Sequence, residues 1–111
     1  MNLSVDFYVT ASGKVPYQEW ISRLRDKTAK AAITRRMIRI RLGDLGDHRT
    51  LGDGVSELRI DVGPGYRVYF GVSGRTVVLF LAGGAKGTQT RDIARAKLYW
   101  HDFLNRHGNH H

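Results

Sequence analysis

The sequence predicts an α+β fold with the element order β-α-α-β-β-β-α. Apolar residues alternate near the N-terminus, which is typical of a half-buried strand. Two stretches with helical spacing follow, and then three strand-like stretches separated by glycine-containing turns. Tight turns make those strands an antiparallel meander, and helices followed by a run of strands indicate α+β. We expect one domain over residues 1–111, with an antiparallel sheet packed against helices and a frayed tail at residues 106–111.

The first strand and the first helix are predicted from the spacing of their apolar residues. Residues 3–10 carry apolar side chains at every second position, namely Leu3, Val5, Phe7 and Val9. A short helix begins at Pro16, because a first helical turn tolerates proline. Its apolar face consists of Tyr17, Trp20, Ile21 and Leu24.

The second helix is capped by Asp26 and ends at Gly43 or Gly46. Its predicted core face contains Ala29, Ile33, Met37 and Ile40, with Ile38 and Leu42 alongside. Residues 20–43 include eight basic residues and one acidic residue. Solvated faces usually mix both signs of charge, so this excess favours a binding surface.

The second half of the chain is predicted to be a loop, a meander and a helix. Residues 43–54 are rich in glycine and aspartate and are expected to form a loop. Strands are predicted over residues 55–61, 66–72 and 76–82, and Gly83-Gly84 is expected to end the third. After a loop at residues 85–89, Thr90 caps a last helix. Its predicted buried stripe is Ile93, Ala96, Trp100, Phe103 and Leu104.

The composition restricts the classes of partner and chemistry. Lys and Arg number 18 against 10 Asp and Glu, which gives a net charge of +8 and favours a polyanionic partner: nucleic acid, an anionic surface or an acidic protein. The absence of cysteine excludes disulfides and thiol catalysis. We expect a cytoplasmic protein, because no signal peptide is recognisable and the longest apolar run, residues 77–82, is far too short to span a bilayer.

Alternation along the meander predicts a polar sheet face. Leu58 and Ile60 are expected to face the core, so the opposite, exposed face gathers Glu57, Arg59, Asp61, Arg67 and Tyr69. Lys86 follows the next strand and could reach the same face. Arginine suits phosphate oxygens and aromatic rings stack on bases, so this face could bind RNA. Cross-strand ion pairs on an ordinary exposed face explain the same pattern, and periodicity alone favours that explanation.

Further basic residues extend the candidate RNA-binding surface: Arg91, Arg95 and Lys97 on the last helix, and Arg35 and Arg39 on the second helix. No carboxylate cluster suits Mg²⁺ and no histidine–carboxylate trio suits Zn²⁺. An enzyme with this sequence is therefore expected to use no metal and no cofactor.

Several segments together resemble the RelE/ParE toxin superfamily, in particular its HigB-like branch of addiction-module killer proteins. The resemblance covers roughly residues 3–104. It rests on Glu57-Leu58-Arg59-Ile60, on Gly63 to Phe70 (GPGYRVYF), on Leu81 to Gln89 (LAGGAKGTQ), and on Asp92-Ile93 with Ala96.

The resemblance implies a toxin of a type II toxin–antitoxin module. Many such toxins cleave mRNA on the ribosome without a metal: the ribose 2′-OH attacks the adjacent phosphate and leaves a 2′,3′-cyclic phosphate. By position, Arg59, Arg67 and Lys86 match basic residues of the family, and Arg67 is the first candidate for the scissile phosphate. The implied partners are a cognate antitoxin, expected to be a helix-turn-helix protein, together with the ribosome and mRNA. No membrane partner is implied.

The sequence also departs from the family pattern. Asp61 stands where some members have a second lysine, and the C-terminal tyrosine or histidine of several members has no clear counterpart. Tyr69, Glu57 or His101 could substitute in proton transfer. The alternative function is a non-enzymatic toxin or binding module, such as a ParE-like inhibitor of DNA gyrase.

Overall fold

The computed structural model describes residues 2–107 and contains a five-stranded sheet with three α-helices. The strands are β1 (Ser4–Phe7), β2 (His48–Gly52), β3 (Val55–Ile60), β4 (Tyr66–Ser73) and β5 (Val77–Ala85). The helices are α1 (Pro16–Arg23), α2 (Lys27–Arg41) and α3 (Gln89–His107), and a short 3₁₀ turn, Lys86–Thr88, precedes α3. Within this range no helix is both long enough and apolar enough to cross a membrane.

The strand order is β1-β5-β4-β3-β2, and the sheet is mixed. The antiparallel meander β3-β4-β5 is confirmed. The prediction of a wholly antiparallel sheet is wrong, because β1 pairs with β5 in parallel from Ser4↔Val77 to Phe7↔Phe80. The chain passes through α1, α2 and the meander before β5 lies beside β1, so no hairpin turn fixes their relative direction.

Strand β2 was not predicted, since residues 43–54 were expected to form a loop. It is an edge strand of largely exposed residues that pairs antiparallel with β3. Its sequence shows no alternation of apolar and polar residues, because a largely exposed edge strand has no face to bury. The segment that leads into β2 is held by the Arg36 guanidinium, which donates hydrogen bonds to the carbonyls of Leu45 and Asp47, both at 2.8 Å.

Strand β5 does not end at Gly83-Gly84 as predicted, but continues to Ala85. The two glycines are packing positions, because a Cβ on Gly83 would overlap the Trp20 ring and a Cβ on Gly84 would overlap the Asp92 carboxylate. The predicted loop at residues 85–89 is wrong, because Ala85 ends β5, Lys86–Thr88 form the 3₁₀ turn and Gln89 begins α3. Helix α3 begins at Gln89, so Thr90 lies inside the helix rather than at its cap.

Helices cover both faces of the sheet, which therefore has two apolar cores. Helices α1 and α2 pack on the face that carries Leu58, Val68 and Phe80. Helix α3 packs on the other face, where Trp100 and Ala96 lie against Leu79, Leu81 and Tyr69. This second layer decides the surroundings of the candidate site, because the face that was expected to be exposed is covered over part of its length.

Most predicted core residues are confirmed, with exceptions at the end of β1, on α2 and on α3. Asp26 caps α2 as expected by accepting a hydrogen bond from the Ala29 N–H at 3.0 Å. At the end of β1, however, Tyr8 is buried under α3 while Val9 is 43% exposed, the reverse of the prediction. Three residues placed in or beside the predicted core faces are instead exposed: Ile38, Leu42 and Leu104.

The predicted frayed tail is wrong at Arg106 and His107, which continue α3. The Arg106 guanidinium donates to the Val9 carbonyl at 2.6 Å and to Asp102, which ties the end of α3 to the chain after β1. Residues 108–111 of the predicted tail lie outside the described residues.

Candidate functional site

Glu57 lies at the centre of a group of arginine side chains, which we call the arginine cluster: Arg49, Arg59 and Arg67 around Glu57. The Glu57 side chain is fully buried. Its Oε2 atom is 3.4 Å from Arg49 Nη2, 3.5 Å from Arg59 Nε and 3.7 Å from Arg67 Nε. One buried carboxylate thus faces three guanidinium groups, and the cluster keeps a net positive charge.

The sheet register positions these side chains. Arg49 pairs with Glu57 across β2 and β3, and Arg59 pairs with Arg67 across β3 and β4. Opposite residues of an antiparallel pair project from the same face about 4.5–5.5 Å apart at Cβ. Two like charges opposite each other are unfavourable, and Glu57 offsets their repulsion.

The start of α3 closes the cluster on one side. Gln89, the first residue of α3, donates from Nε2 to Glu57 Oε1 at 3.0 Å. The Glu57 carboxylate is therefore held from the sheet through Oε2 and from the helix through Oε1. A helix N-terminus also carries partial positive charge, which adds to the anion-attracting potential of this region.

Arg67 lies on the predicted face but is not exposed as expected, since its side chain is only 6% accessible. Its Nη1 donates to the Tyr66 carbonyl at 2.9 Å and lies 4.0 Å from Asp61 Oδ1. Nε has no hydrogen-bond acceptor within residues 2–107. The guanidinium is thus buried but incompletely bonded, and such a group gains most from an added anion.

Tyr69 is fully buried beneath α3, so the prediction that it faces outward is wrong. Its hydroxyl is buried and has no hydrogen-bond partner among the described residues. Burial raises the pKa of the phenol, and the charges of Asp92 and Glu57 raise it further. A phenol with a raised pKa and no solvent access is poorly suited to take a proton from RNA.

Lys86 comes close to Arg67, as the sequence predicted. The Lys86 N–H donates to the Gly65 carbonyl at 2.9 Å, which fixes its backbone at the turn before β4. A Cβ added to Gly65 would lie 3.6 Å from Lys86 Cβ and 3.9 Å from Arg67 Nη1. The side chains of Lys86 and Arg67 thus flank the same glycine, and Lys86 is exposed.

The two predicted RNA-binding residues of α2 lie outside the arginine cluster but share a cleft with one of its members, Arg59. Arg35 and Arg39 line a cavity of about 360 Å³ together with Arg36, Arg59 and Asp61. Arg39 pairs with Asp44 at 2.8 Å. Arg36 has a structural role, because its Nη1 donates to the Arg59 carbonyl at 2.6 Å. The basic run of α2 is therefore divided between structural contacts and an exposed surface.

The three basic residues of α3 are also not brought into the arginine cluster. Arg91 and Arg95 line a cleft between α1 and α3. Lys97 pairs with Asp53 at 3.3 Å, near the β2–β3 turn. His101 lines a separate cavity beside Lys97, so it does not approach the cluster. The structure brings Arg59, Arg67 and Lys86 together. Of the other predicted basic residues, Arg35 and Arg39 share a cavity with Arg59, and Arg91 shares one with Lys86.

Two members of the site were missed by the sequence reasoning. Arg49 was overlooked because its strand was not predicted, although Asp53-Gly54 is a hairpin signal that would have paired residues 48–52 with β3. In the sequence, Gln89 stands out only as the last residue of the segment Leu81 to Gln89. Its contact with Glu57 joins residues 32 positions apart, which no local pattern indicates.

A comparison with known proteins finds a relative in Haemophilus influenzae, described as an uncharacterized protein. It is 45% identical over 82 residues, which make up 74% of this chain and 83% of the relative. The chain belongs to the same family as this Haemophilus protein. No protein-family model matches the chain.

Proposed function

We propose that the protein is the toxin of a type II toxin–antitoxin module and that it cleaves mRNA bound to the ribosome. The arginine cluster with adjacent Lys86 is the observation that supports this proposal most. Three arginines share one carboxylate, so the cluster attracts an anion, and a phosphodiester is the anion of an RNA substrate. The resemblance to the RelE/ParE superfamily concerns the same residues.

Charge stabilisation is the chemical contribution of this site. When a ribose 2′-OH attacks the adjacent phosphate, negative charge builds up on the phosphorane oxygens. Arg67 and Lys86 both lie beside Gly65 and supply cationic donors there, and Arg59 lies beside Arg67 in the sheet. Donors fixed before the reaction stabilise such charge strongly, with a typical loss of about 10²–10³ in rate when one is removed.

Glu57 and Gln89 are assigned to positioning rather than to proton transfer. Glu57 is fully buried and surrounded by cations, so it orients Arg67 and limits repulsion within the cluster. Tyr69 is assigned to the core, since its hydroxyl lies beneath α3. The other proposed partners are a cognate helix-turn-helix antitoxin and the ribosome, which places the activity in the cytoplasm.

The proposal is tested by mapping mRNA 5′ ends in a translating extract that contains the purified protein. We expect cuts that require ribosomes, with a 5′-OH on one product and a 2′,3′-cyclic phosphate on the other. In a control, the mRNA–ribosome complex is isolated, fixed and treated with a chelator of divalent ions before the protein is added. We expect the cleavage products to carry the same termini as without the chelator. Intact mRNA in an inhibited extract would contradict the nuclease proposal.

A non-enzymatic toxin of the ParE type is the second candidate. The burial of Arg67, with a side chain only 6% accessible, favours it, because a substrate phosphate must reach that guanidinium. This candidate predicts breaks in DNA held by gyrase while the mRNA remains intact. The same extract, supplemented with supercoiled DNA and gyrase, distinguishes the two activities.

A further inference from the structure

The edge of strand β5 that faces β1 is unpaired over its last residues within the described part of the chain. Strand β1 pairs with β5 only as far as Phe80, and the last backbone hydrogen bond across this boundary runs from the Tyr8 N–H to the Phe80 carbonyl at 2.9 Å. Beyond that point, β4 is the neighbour of β5 on one side. On the other side, no strand within residues 2–107 pairs with residues 81–85. Every second residue of such an edge directs its N–H and C=O groups outward.

This edge forms the floor of a cleft of about 540 Å³, which we call the α1–α3 groove. Residues 82–85 line the floor, Trp20 and Arg23 of α1 line one wall, and Arg91 and Arg95 of α3 line the other. The floor spans four residues, about 13 Å at the usual rise of a strand. The groove therefore has the length of a short strand and, within residues 2–107, an unpaired backbone edge along it.

The groove is positively charged. Its lining includes four basic residues (Lys14, Arg23, Arg91, Arg95) and two acidic residues (Glu19, Asp92). Glu19 is 3.7 Å from Arg23 and Asp92 is 3.9 Å from Arg91. Within residues 2–107, no carboxylate lies within ion-pair distance of Lys14 or Arg95. A ligand with negative charge is thus favoured on both walls.

We infer that the α1–α3 groove binds an extended acidic segment of a partner protein, which adds to β5 as a further strand. Successive side chains of an added strand point to opposite faces of the sheet. One set would then face Arg23 on α1 and the other Arg95 on α3. Adjacent acidic residues in the partner match this arrangement. The inference concerns a surface separate from the arginine cluster and stands whether or not the protein cleaves RNA.

The aromatic residues of the groove favour a peptide over single-stranded RNA. Trp20 packs on Gly83, and its ring centroid is 6.1 Å from that of Tyr17 and 6.3 Å from that of Tyr66. Tyr99 is stacked on Tyr8 with ring centroids 4.9 Å apart. Each ring already has aromatic neighbours in the protein, so a base would have to compete with these contacts. The free strand edge, by contrast, matches the donor and acceptor spacing of a peptide backbone.

The test measures binding of a labelled synthetic peptide with the repeat Glu-Glu-Val-Val by fluorescence anisotropy. We expect the peptide to bind roughly tenfold more weakly to the double variant Arg23→Glu/Arg95→Glu. A single exposed ion pair contributes little, but each substitution replaces an attraction to the acidic peptide by a repulsion. Arg75→Glu is the matched control, because Arg75 is exposed in the turn at the other end of β5 and the charge change is the same in kind. Amide exchange should also show new protection at alternate residues of 82–85 in the complex.

Two further probes can overturn the inference. A peptide of the same sequence with N-methylated backbone amides keeps its charge but cannot complete the strand ladder. Equal affinity for both peptides would show charge attraction without strand addition. A single-stranded oligoadenylate that binds in an Arg95-dependent way, while the peptide does not bind, would assign the groove to RNA. Failure of both probes to bind would also overturn the inference.

Discussion

Glu57 is the residue on which the arginine cluster depends most. Substitution by glutamine keeps the shape of the side chain but removes the buried carboxylate partner of Arg67 and leaves only the exposed Asp61 at 4.0 Å. Breaking a buried pair from one side costs about 3 kcal/mol or more. We expect Glu57→Gln to lower the free energy of unfolding by about that amount, measured by urea denaturation.

The matched control is Glu19→Gln, which removes the carboxylate of an exposed pair with Arg23. Exposed pairs of this kind contribute about 0.2–1 kcal/mol, so its effect should be much smaller. Equal and small effects of the two substitutions would show that Glu57 does not hold the cluster together.

At the scale of single residues, the sequence predicts the face of a side chain better than its depth. Alternation correctly places Arg67 opposite Val68 on β4, and a surface position there would tolerate alanine within about 0.5 kcal/mol. The structure buries the Arg67 side chain, so that expectation no longer holds. Burial depends on where α3 lies, and no pattern within β4 carries that information.

At the scale of elements, the two glycines near the end of β5 fix how closely α1 and α3 approach the sheet. Gly83→Ala would insert a methyl group into the Trp20 ring. Overpacking of this kind costs about 1–3 kcal/mol, and we expect a corresponding loss of unfolding free energy.

Gly87 provides the control for this substitution, because a Cβ there meets no atom within 4 Å. Gly87→Ala should change the stability by less than about 0.5 kcal/mol. If both variants are equally stable in thermal and urea denaturation, the glycines do not set the packing distance.

The contact between α3 and Tyr8, the residue after β1, should depend on pH through Asp102. The Tyr8 hydroxyl donates to Asp102 Oδ2 at 2.6 Å, and this bond, followed by Arg106, lowers the pKa of the carboxyl. A lowered folded-state pKa gives stability that is present above the ordinary carboxyl pKa of about 3.9 and is lost as the pH falls through the folded-state value.

Thermal denaturation of Asp102→Asn tests this dependence. The melting temperature of the variant should lie below that of the parent protein at neutral pH, and the difference should shrink as the pH falls below about 4. A difference that stays constant from neutral to acidic pH would show that Asp102 acts through packing alone.

The helices and strands are predicted correctly where apolar periodicity is strong. The prediction fails where backbone hydrogen bonds between strands, rather than apolar burial, define the element. The meander and the α2 cap at Asp26 follow from local patterns and are confirmed. Strand β2 is not predicted because its residues are largely exposed. The parallel pairing of β1 is not predicted because its partner strand lies more than 70 residues further along the chain.

At the scale of the whole molecule, the net charge of +8 should govern how RNA associates. Each phosphate that the protein neutralises releases counterions, so the logarithm of the affinity for a single strand falls with the logarithm of salt concentration by about 0.7 per contact. We expect a slope that corresponds to several contacts, measured by anisotropy with a labelled oligonucleotide. A flat dependence on salt would assign the charge excess to another partner.

The most direct test of the proposed nuclease compares cleavage rates of ribosome-bound mRNA for Arg67→Lys and Arg75→Lys. Lysine retains the charge but loses the planar fork that pairs with phosphate oxygens. We expect the Arg67 variant to cleave about 10²–10³ times more slowly, while the Arg75 variant, altered at an exposed turn, cleaves like the parent protein. Circular dichroism of both variants checks that they are folded. Unchanged cleavage by a folded Arg67→Lys variant would contradict the assignment of the arginine cluster as the catalytic site.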